Sequence, residues 1–262
     1  MAITKYSDIS SFIASIYERS VFVAREMNLM SNLVSNYSAQ GWMGRTFSTR
    51  PQISAETVSD GVDYSNPTTF GKSLVGTLTP AEAIAQVILT DQDMETDPDG
   101  AVQDASYELG AAIAAKIDTD LTAIFSRFTT DKGAGTGQTN TIADLASGVA
   151  VVRARMMRAG PVSAVLHPYQ WHDLWMALGQ PAATYAAVQD IANQALRDYF
   201  VASMLTLNIY TSSNVPAGTA ATDALGGIFN SEAIALDTRR PYRLEPERDA
   251  SLRGTELNAK AG

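Results

Sequence analysis

The clearest pattern of hydrophobic and polar positions lies between residues 97 and 128, where apolar side chains recur every three or four residues. Asp97 followed by Pro98 is typical of a helix start, because aspartate caps free backbone N–H groups and proline fits the first helical position. The pattern predicts one long helix of about 30 residues, about 45 Å in length. Its apolar positions are Val102, Ala105, Leu109, Ile113, Ile117, Leu121, Ile124 and Phe128.

The rest of the chain after this helix mixes helical and strand patterns. Helical spacing predicts helices at 142–156, 168–178 and about 185–204. The short apolar runs VSAVLH and TLNIYTS are typical of buried strands, and residues 226–257 are rich in β-type residues. AEAIAQVILT, just before the long helix, fits either element, and we predict a strand because a polar turn follows it. The order of elements indicates an α+β protein.

The first 80 residues show no pattern of a self-contained core. Residues 8–36 begin with helix-compatible spacing but lack strong caps, which is typical of an arm that rests on another surface. Residues 44–80 are rich in Thr, Ser, Gly and Pro, with β-type fragments around Phe47 and from Phe70 to Val75. A segment of this length is either a linker or an extended two-stranded loop. Because ordering a backbone costs about 1–2 kcal/mol per residue, we expect residues 1–80 to lie on partner subunits.

Composition and charge narrow the classes of function. The chain has no cysteine, so disulfides, thiolate zinc sites and cysteine nucleophiles are excluded. The formal charge of −9 divides into +2 for residues 1–51, −11 for 52–131 and 0 for 132–262. An acidic chain does not favour tight binding to duplex DNA. No secretory signal and no apolar stretch of about 20 residues is visible, so we expect a soluble product of the cytoplasm.

The stretch HPYQWHDLW, residues 167–175, holds both histidines of the chain. Trp171, Leu174 and Trp175 fall on one stripe of the predicted helix, which indicates packing. His167 precedes the helix and His172 lies beside the stripe, so their spacing does not direct both rings at one metal ion. A Ser-His-Asp triad would also need one of these histidines, and no G-x-S-x-G motif presents a serine. We predict a structural role for both histidines.

Three further motifs resemble ligand-binding loops, but each departs from the full sequence pattern of such a loop. DQDMETDPDG, residues 91–100, spaces its acids like a calcium loop, but Glu95 stands where an Asp ligand belongs and Ser106 where a bidentate Glu belongs. The acids suit the positive end of the long helix, and weak divalent cation binding between Asp91 and Asp99 stays open. FGKS lacks the first P-loop glycine, and GAGTG follows a helix rather than a strand. No acid pair stands out for glycoside chemistry, so we predict no enzymatic activity, catalytic residue or cofactor.

Three stretches occur in an order that resembles a known family. They are VILTDQDMETDPDGAVQDASYELGAAIAAKIDTDLTAIF, then PVSAVLHPYQWHDLW, then LNIYTSSNVPAG with ALGGIFNSEAIALDTRRPYRLEPERD. The first resembles the loop strand, acidic turn and spine helix of tailed-bacteriophage major capsid proteins. The second resembles the strand and helix of their axial domain, and the third resembles the segment that leads back into their peripheral sheet. The resemblance covers most of the chain from about Arg19 onward, with Asp118 near the end of the spine helix.

This resemblance implies an α+β, HK97-like capsid fold. Its parts would be an N-terminal arm (1–43), an extended β-loop (44–88), a peripheral domain with the long spine helix (89–140 and 226–262) and an axial domain (141–225). It also implies a structural protein that self-assembles as hexamers and pentamers into an icosahedral shell enclosing double-stranded DNA. The expected location is the virion, after assembly in the host cytoplasm.

The resemblance also implies partners. They are further copies of the chain, a portal, and a separate scaffolding protein. Because the sequence starts almost directly at the arm, the expected alternative to a separate scaffold is no scaffold at all. A decoration protein is left open, packaged DNA would be contained without sequence-specific binding, and no membrane is expected.

We expect intersubunit contacts from two sets of residues. Basic side chains of the arm, loop and C-terminal region would meet the acidic block of a neighbour, and the apolar residues of the loop, with one lysine, would lie on a neighbouring subunit. The first set is Arg19, Arg25, Arg45, Arg50, Arg239, Arg240 and Arg243; the second is Phe47, Phe70, Lys72, Leu74 and Val75.

Two alternatives remain open on the sequence alone. An encapsulin-like nanocompartment shell of the same fold would enclose protein cargo instead of DNA. A stand-alone hydrolase would be active as a monomer.

Overall fold

The computed structural model describes most of the chain, and the account below refers to that part. The described residues are 16–17, 19–21, 28–39, 41, 43–51, 53–65, 67–96, 98–133, 135–155, 160–179, 203–204, 207–217 and 223–262, with backbone alone for 98, 99, 177–179, 203 and 204.

The long helix predicted from the apolar spacing is present and begins at Pro98 as predicted. It runs from Pro98 to Ala123, and its last turn tightens into a 3₁₀ turn over Ile124–Arg127. The tightening is common at helix ends, where 3₁₀ bonds satisfy carbonyl groups that have no helical partner. The helices of the described part are α1 (Asp91–Thr96), α2 (Pro98–Ala123), α3 (Ile142–Arg155) and α4 (Pro168–Gly179).

The strands of the described residues form four small sheets. They are β1 (Ser35–Ser38), β2 (Arg45–Thr49), β3 (Ser73–Leu78), β4 (Ala83–Thr90), β5 (Val162–Leu166), β6 (Ser203–Met204), β7 (Leu207–Thr211), β8 (Gly227–Asn230), β9 (Ala235–Thr238), β10 (Arg243–Asp249) and β11 (Gly254–Ala261). In the antiparallel sheet β10-β11-β4, the last strand of the chain is central. In β6-β7-β5-β8, β5 is parallel to β7 and antiparallel to β8. The other two pairs are β1 with β9, which is parallel, and β2 with β3, which is antiparallel.

Three hydrophobic clusters hold these elements together, and α2 contributes to two of them. The first half of α2 packs on the inner face of β4 and β11 through Val102, Leu109 and Ile113. Its C-terminal end and the following turn pack through Leu121 and Phe125 against β5 and β8. A third cluster lies between α3, α4 and the sheet that contains β5. The helix therefore joins the β4-β11-β10 sheet to the β5 sheet.

The structure corrects the expectation that the first 80 residues have no place on their own subunit. Ile16, Met30 and Val34 are buried within the chain and belong to the two clusters that contain α2. Residues 35–38 form a strand on β9. These contacts join residues about 90–240 positions apart in sequence, so local patterns give no sign of them.

Two local predictions were also wrong in part. The acidic segment after β4 is the short helix α1 and not a turn, because Thr90 caps it by accepting from the backbone N–H of Asp93 at 3.2 Å. The predicted helix from about 185 to 204 lies mostly outside the described residues, and its end at Ser203–Met204 is strand β6, paired with β7.

The apolar stripe of α4 is centred on a leucine instead of on the tryptophans. Leu174 is fully buried against β5 and β7, whereas Trp171 is half-buried at the edge of that cluster. Trp175 is also only half-buried. Leu174 fills this cluster, and Trp171 packs against it from its edge.

We predict that Leu174→Ala lowers the free energy of unfolding by about 2–5 kcal/mol, because it removes a buried side chain from a packed cluster. Met176→Ala, on the exposed side of the same helix, should change it by less than about 0.5 kcal/mol. Urea unfolding followed by circular dichroism measures both values. Equal effects of the two substitutions would contradict the assigned orientation of α4.

Candidate functional site

The hairpin formed by β2 and β3 has no fully buried side chain in either strand. The strands pair from Arg45 opposite Leu78 to Thr49 opposite Ser73, with a β-bulge between Phe47 and Ser48. All six residues of β3 are exposed. The pairing of β2 with β3 confirms the predicted β-type fragments. The segment that contains them is therefore a two-stranded loop and not a linker.

Apolar side chains cover this hairpin without being buried. Leu74 and Val75 are each 68% exposed, and Phe70 is 50% exposed. Further exposed apolar residues of the loop are Ile53, Val58, Val62 and Tyr64. Apolar side chains this exposed are typical of surfaces that contact another molecule.

Two of the predicted contact residues interact with each other at the outer end of the strands. The guanidinium carbon of Arg50 lies 4.7 Å from the centroid of the Phe70 ring, which is a cation–π contact. Lys72 is exposed and has no interaction partner in the described part of the chain. Phe47 is nearer the base and is half-buried, with its ring edge-on to Tyr37 at 5.5 Å.

Asp237 anchors the base of the hairpin. Its carboxylate, only 4% exposed, accepts from Arg45 Nε at 2.9 Å and forms an ion pair with Arg239 Nη2 at 2.7 Å. Arg45 also donates to the carbonyl oxygen of Ser38 and lies over the Tyr37 ring. The hydrogen bond from Arg45, and after it the one from Arg239, hold the pKa of Asp237 below its usual range. The Asp237 carboxylate therefore joins β9 to β2, and Arg45 extends this connection to the end of β1.

The other predicted basic contact residues are distributed along the chain. Arg240 lies 3.6 Å from Glu82, and Arg243 lies 3.0 Å from Glu245, so both have acidic neighbours within the subunit. Arg19 is exposed, and Arg25 lies outside the described residues. Of the members of this set that the structure describes, Arg45 and Arg239 meet at the Asp237 carboxylate. The contacts of the set with neighbouring subunits stay predictions.

Asp118 connects the N-terminal arm to α2. Its carboxylate is buried and accepts from the backbone N–H of Met30 at 3.0 Å and of Leu29 at 3.2 Å. Burial raises the pKa of Asp118, and the hydrogen bonds from the arm and from Asn214 oppose that rise. One turn later Thr122 donates to the carbonyl oxygen of Asn214 at 2.8 Å, so this face of α2 binds the arm and the segment after β7.

His167 is a helix cap. Its Nδ1 accepts from the backbone N–H of Tyr169 at 3.2 Å, and Gln170 accepts in return from the backbone N–H of His167 at 3.1 Å. This reciprocal pair is a capping box at the start of α4. His172 is exposed and 3.9 Å from Asp173. The geometry gives His167 the structural role predicted for it, and the exposed His172 has no such role in the described part of the chain.

The acidic segment before α2 is bound to a basic side chain. Arg248 donates from its two terminal nitrogens to the two carboxylate oxygens of Asp91, at 2.5 and 2.6 Å. This bidentate pair lowers the pKa of Asp91. The described residues include no group of three or more His, Asp or Glu side chains arranged to hold a metal ion. Since the side chains of Asp97 and Asp99 are not among them, weak divalent cation binding there stays a prediction.

Three residues that join separate parts of the subunit have roles that the sequence patterns did not predict. They are Asp237, Arg248 and Asp118. The sequence does carry a signal for Asp118, because a charged residue interrupts the apolar face of α2 between Ile117 and Leu121. Asp237 and Arg248 lie in segments rich in charge, where no local pattern separates a buried ion pair from an exposed one.

None of the described helices combines the length and the apolar character needed to cross a bilayer.

Comparison with protein families gives one match. The model of a family described as phage capsid protein matches residues 77–261, which is most of the chain. No curated protein matches this sequence.

Comparison with solved structures shows the same fold in several particles. The capsid of the cyanophage P-SCSP1u has a TM-score of 0.65 at 13% identity, with 89% of this chain and 83% of that chain covered. The structure described as Mycobacterium phage Che8 has a TM-score of 0.62 at 17% identity, covering 89% and 85%. A virus-like particle from Pyrococcus furiosus has a TM-score of 0.59 at 8% identity, covering 94% and 91%. These likenesses show the HK97-like fold that the sequence order predicted.

We predict that Asp237→Asn destabilises the subunit by about 1–3 kcal/mol at neutral pH, because the buried Arg239 loses its charged acceptor. A lowered carboxyl pKa contributes stability above the unfolded pKa, and that contribution is lost as the pH falls through the folded pKa. The wild type should therefore lose more stability than the variant between neutral pH and about pH 3. Urea unfolding across this range measures the difference. Parallel pH profiles for the two proteins would contradict the role of Asp237.

Asp118→Ala should lower the free energy of unfolding by about 1–3 kcal/mol, because it leaves two backbone N–H groups without their acceptor. Hydrogen exchange at Leu29 and Met30 should accelerate, since the arm loses its attachment to α2. The control is Asp120→Ala, which removes an exposed carboxylate paired with Lys116 on the same helix and should cost less than about 0.5 kcal/mol. Unchanged exchange at Leu29 and Met30 would show that Asp118 does not anchor the arm.

Proposed function

The chain belongs to the phage capsid protein family, and from this premise we propose that it is the major subunit of an icosahedral virion shell. The shell would be built from hexamers and pentamers of the chain and would enclose double-stranded DNA. Family membership makes the chain a structural capsid protein, and we propose no enzymatic role.

The hairpin of β2 and β3 is the observation that best supports assembly. It carries a row of exposed apolar side chains, and its base is fixed to the subunit by a buried ion pair at Asp237. A loop that is held at one end and apolar along its length gains stability when a second surface covers it. A neighbouring subunit is the surface that a self-assembling protein supplies in every copy.

The four-part division proposed from the sequence is compatible with the clusters if two boundaries change. One is β8 (Gly227–Asn230), which pairs with β5 and would belong to the axial domain instead of the peripheral domain. The cluster of α3, α4 and β5 would form the axial domain (141–225), and the sheet β10-β11-β4 with the first half of α2 would form the peripheral domain (89–140 and 226–262). Because β4 pairs with β11 along its whole length, we propose that the extended loop ends near Leu78 and not at 88. Residues 1–43 would remain the arm.

The proposed partners follow from the shell. Further copies of the chain are the main partner, and a portal, a scaffolding protein and a decoration protein remain proposals. The overall acidic charge suits a wall that confines DNA without binding it tightly. The proposed location is the virion, after assembly in the host cytoplasm.

A cellular nanocompartment shell is the second candidate function. It is favoured by the likeness to the virus-like particle from Pyrococcus furiosus, which shows the fold alone. The family match favours the phage capsid. Electron microscopy of particles purified from the native source distinguishes the two, because one would contain DNA and the other protein cargo.

We predict that replacing residues 48–78 by a short Gly-Ser turn leaves the subunit folded but abolishes closed shells. Loop length costs only about 0.6 kcal/mol per doubling, and the three clusters are untouched. Circular dichroism should keep its helical signal, while light scattering should report monomers or isolated capsomers. Shells of normal size would show that the loop is dispensable, and an unfolded chain would show that it belongs to the subunit core.

A point-substitution version gives a matched control for the same prediction. Leu74→Ser with Val75→Thr should lower assembly yield without lowering the stability of the isolated subunit, since both side chains are exposed there. Leu252→Ser, at an exposed turn outside the hairpin, should leave both properties unchanged.

A further inference from the structure

A cavity of about 820 Å³ lies between the end of α2, helix α3 and strand β8, and the loop that joins α2 to α3 also lines it. Leu145 and Val152 in its wall belong to the cluster around α3, α4 and β5. Phe125 and Phe128 belong to the cluster at the end of α2. Pockets that hold small organic molecules commonly have a volume of about 300–1,000 Å³. The cavity therefore has the size of a small-molecule site, with apolar walls from two clusters.

The glycine-rich loop DKGAGTGQTN, which lies between α2 and α3, directs backbone N–H groups at carboxylates that line this cavity. Gly133 donates to Asp131 at 2.9 Å, and Gly137 donates to Asp223 at 3.1 Å. Gly137 has a φ of 72°, in the left-handed region that glycine adopts without strain. The motif that resembles part of a dinucleotide-binding loop therefore binds acidic side chains of its own chain, and these would repel a phosphate.

Two further carboxylates of the lining are held in the same way. Asp144 accepts from the backbone N–H of Thr141 at 3.0 Å, and Asp173 accepts from that of Asn140 at 3.3 Å. None of the four lining carboxylates forms an ion pair with a lysine or arginine of the described residues. One loop therefore fixes their positions, and no contacting cation neutralises their charge.

The charge of the lining selects the kind of ligand. Four acidic side chains and two basic ones, Lys132 and Arg155, line the cavity, so its net charge is negative. Both basic side chains are exposed. Asp223 has one carboxylate oxygen, Oδ2, that is buried and has no hydrogen-bond partner in the described part of the chain. Because a buried acceptor without a donor costs free energy, a cationic group that donates to Asp223 would be stabilised there.

We propose that this cavity is a binding site for a small organic cation, an amine attached to an aromatic or aliphatic body. The ammonium group lies at Asp223 and donates to its unpaired oxygen, and the apolar body lies against Phe125, Phe128 and Val152. A bound cation contacts both clusters and therefore stabilises their junction. This inference goes beyond the proposed function, because assembly of a shell does not require a ligand in the subunit.

Three probes with one apolar body and different charges test the site: pyrenemethylamine, pyrenemethanol and pyrenecarboxylate. Fluorescence titration of the purified full chain at neutral pH gives their affinities. The proposal predicts that the amine binds about ten-fold more tightly than the carboxylate, with the alcohol between them in affinity. The amine should also raise the midpoint of thermal unfolding. Equal affinities of the three probes, or no binding, would overturn the proposal.

Substitutions of charged residues test whether binding occurs in this cavity. Asp223→Asn keeps an acceptor for Gly137 but removes the negative charge, so it should weaken amine binding several-fold with little effect on the alcohol. Arg155→Gln removes a charge of the same sign as the ligand and should strengthen amine binding. Asp120→Asn is the matched control, because it removes an exposed carboxylate of α2 outside the cavity, and it should leave amine binding unchanged.

Thr136→Trp places a large side chain at the exposed side of the cavity. It should block all three probes while circular dichroism keeps its helical signal. Amine affinity that is the same in the wild type, in Asp223→Asn and in Thr136→Trp would overturn the site. Binding that is lost when shells assemble would also overturn it, because a neighbouring copy would then cover the cavity. Asp223→Asn should still form shells, so failure of the site leaves the proposed function untouched.

Discussion

The packing of α2 against two hydrophobic clusters is the constraint on which the rest of the subunit depends. Its first half buries apolar side chains on β4 and β11, and its end buries Leu121 and Phe125 against β5 and β8. Ile117 borders both clusters. Because one helix belongs to both cores, the sheet on one side and the sheet on the other cannot shift independently without opening apolar surface to water. This rigidity suits a subunit that must present the same contact surfaces in every copy of a closed shell.

Two buried carboxylates attach the extended parts of the chain to this rigid frame. Asp118 binds the arm through backbone N–H groups, and Asp237 binds the base of the hairpin through two arginines. Beyond these anchors the arrangement changes, since the hairpin exposes apolar groups that nothing in the described subunit covers. The contrast distinguishes contacts that complete the fold from exposed apolar surfaces that we propose a neighbouring subunit covers. It also explains why acid should weaken the base of the hairpin, where the lowered pKa of Asp237 shows that the charged form is the stabilised one.

Local patterns predicted several elements correctly. The start of α2 at Pro98, the buried strand β5, helix α4 and the two-stranded loop all agree with the sequence prediction. Apart from the short helix α1, whose cap at Thr90 is local, the errors arise from contacts distant along the chain. Burial of Ile16 and Met30, and pairing of β1 with β9, depend on partners that periodicity does not identify. The same holds for Asp237, because its buried ion pair looks like ordinary surface charge in the sequence. The exposed apolar residues of the loop were predictable, because no local pattern could bury them.

We propose that this chain closes a shell by placing its loop on neighbouring copies. Cryo-electron microscopy of particles formed by the purified full chain tests it most directly. The account predicts closed icosahedral shells of hexamers and pentamers, in which density for the β2–β3 hairpin of each subunit crosses onto an adjacent subunit. Closed shells in which the hairpin folds back on its own subunit, or a chain that remains monomeric under all assembly conditions, would contradict it.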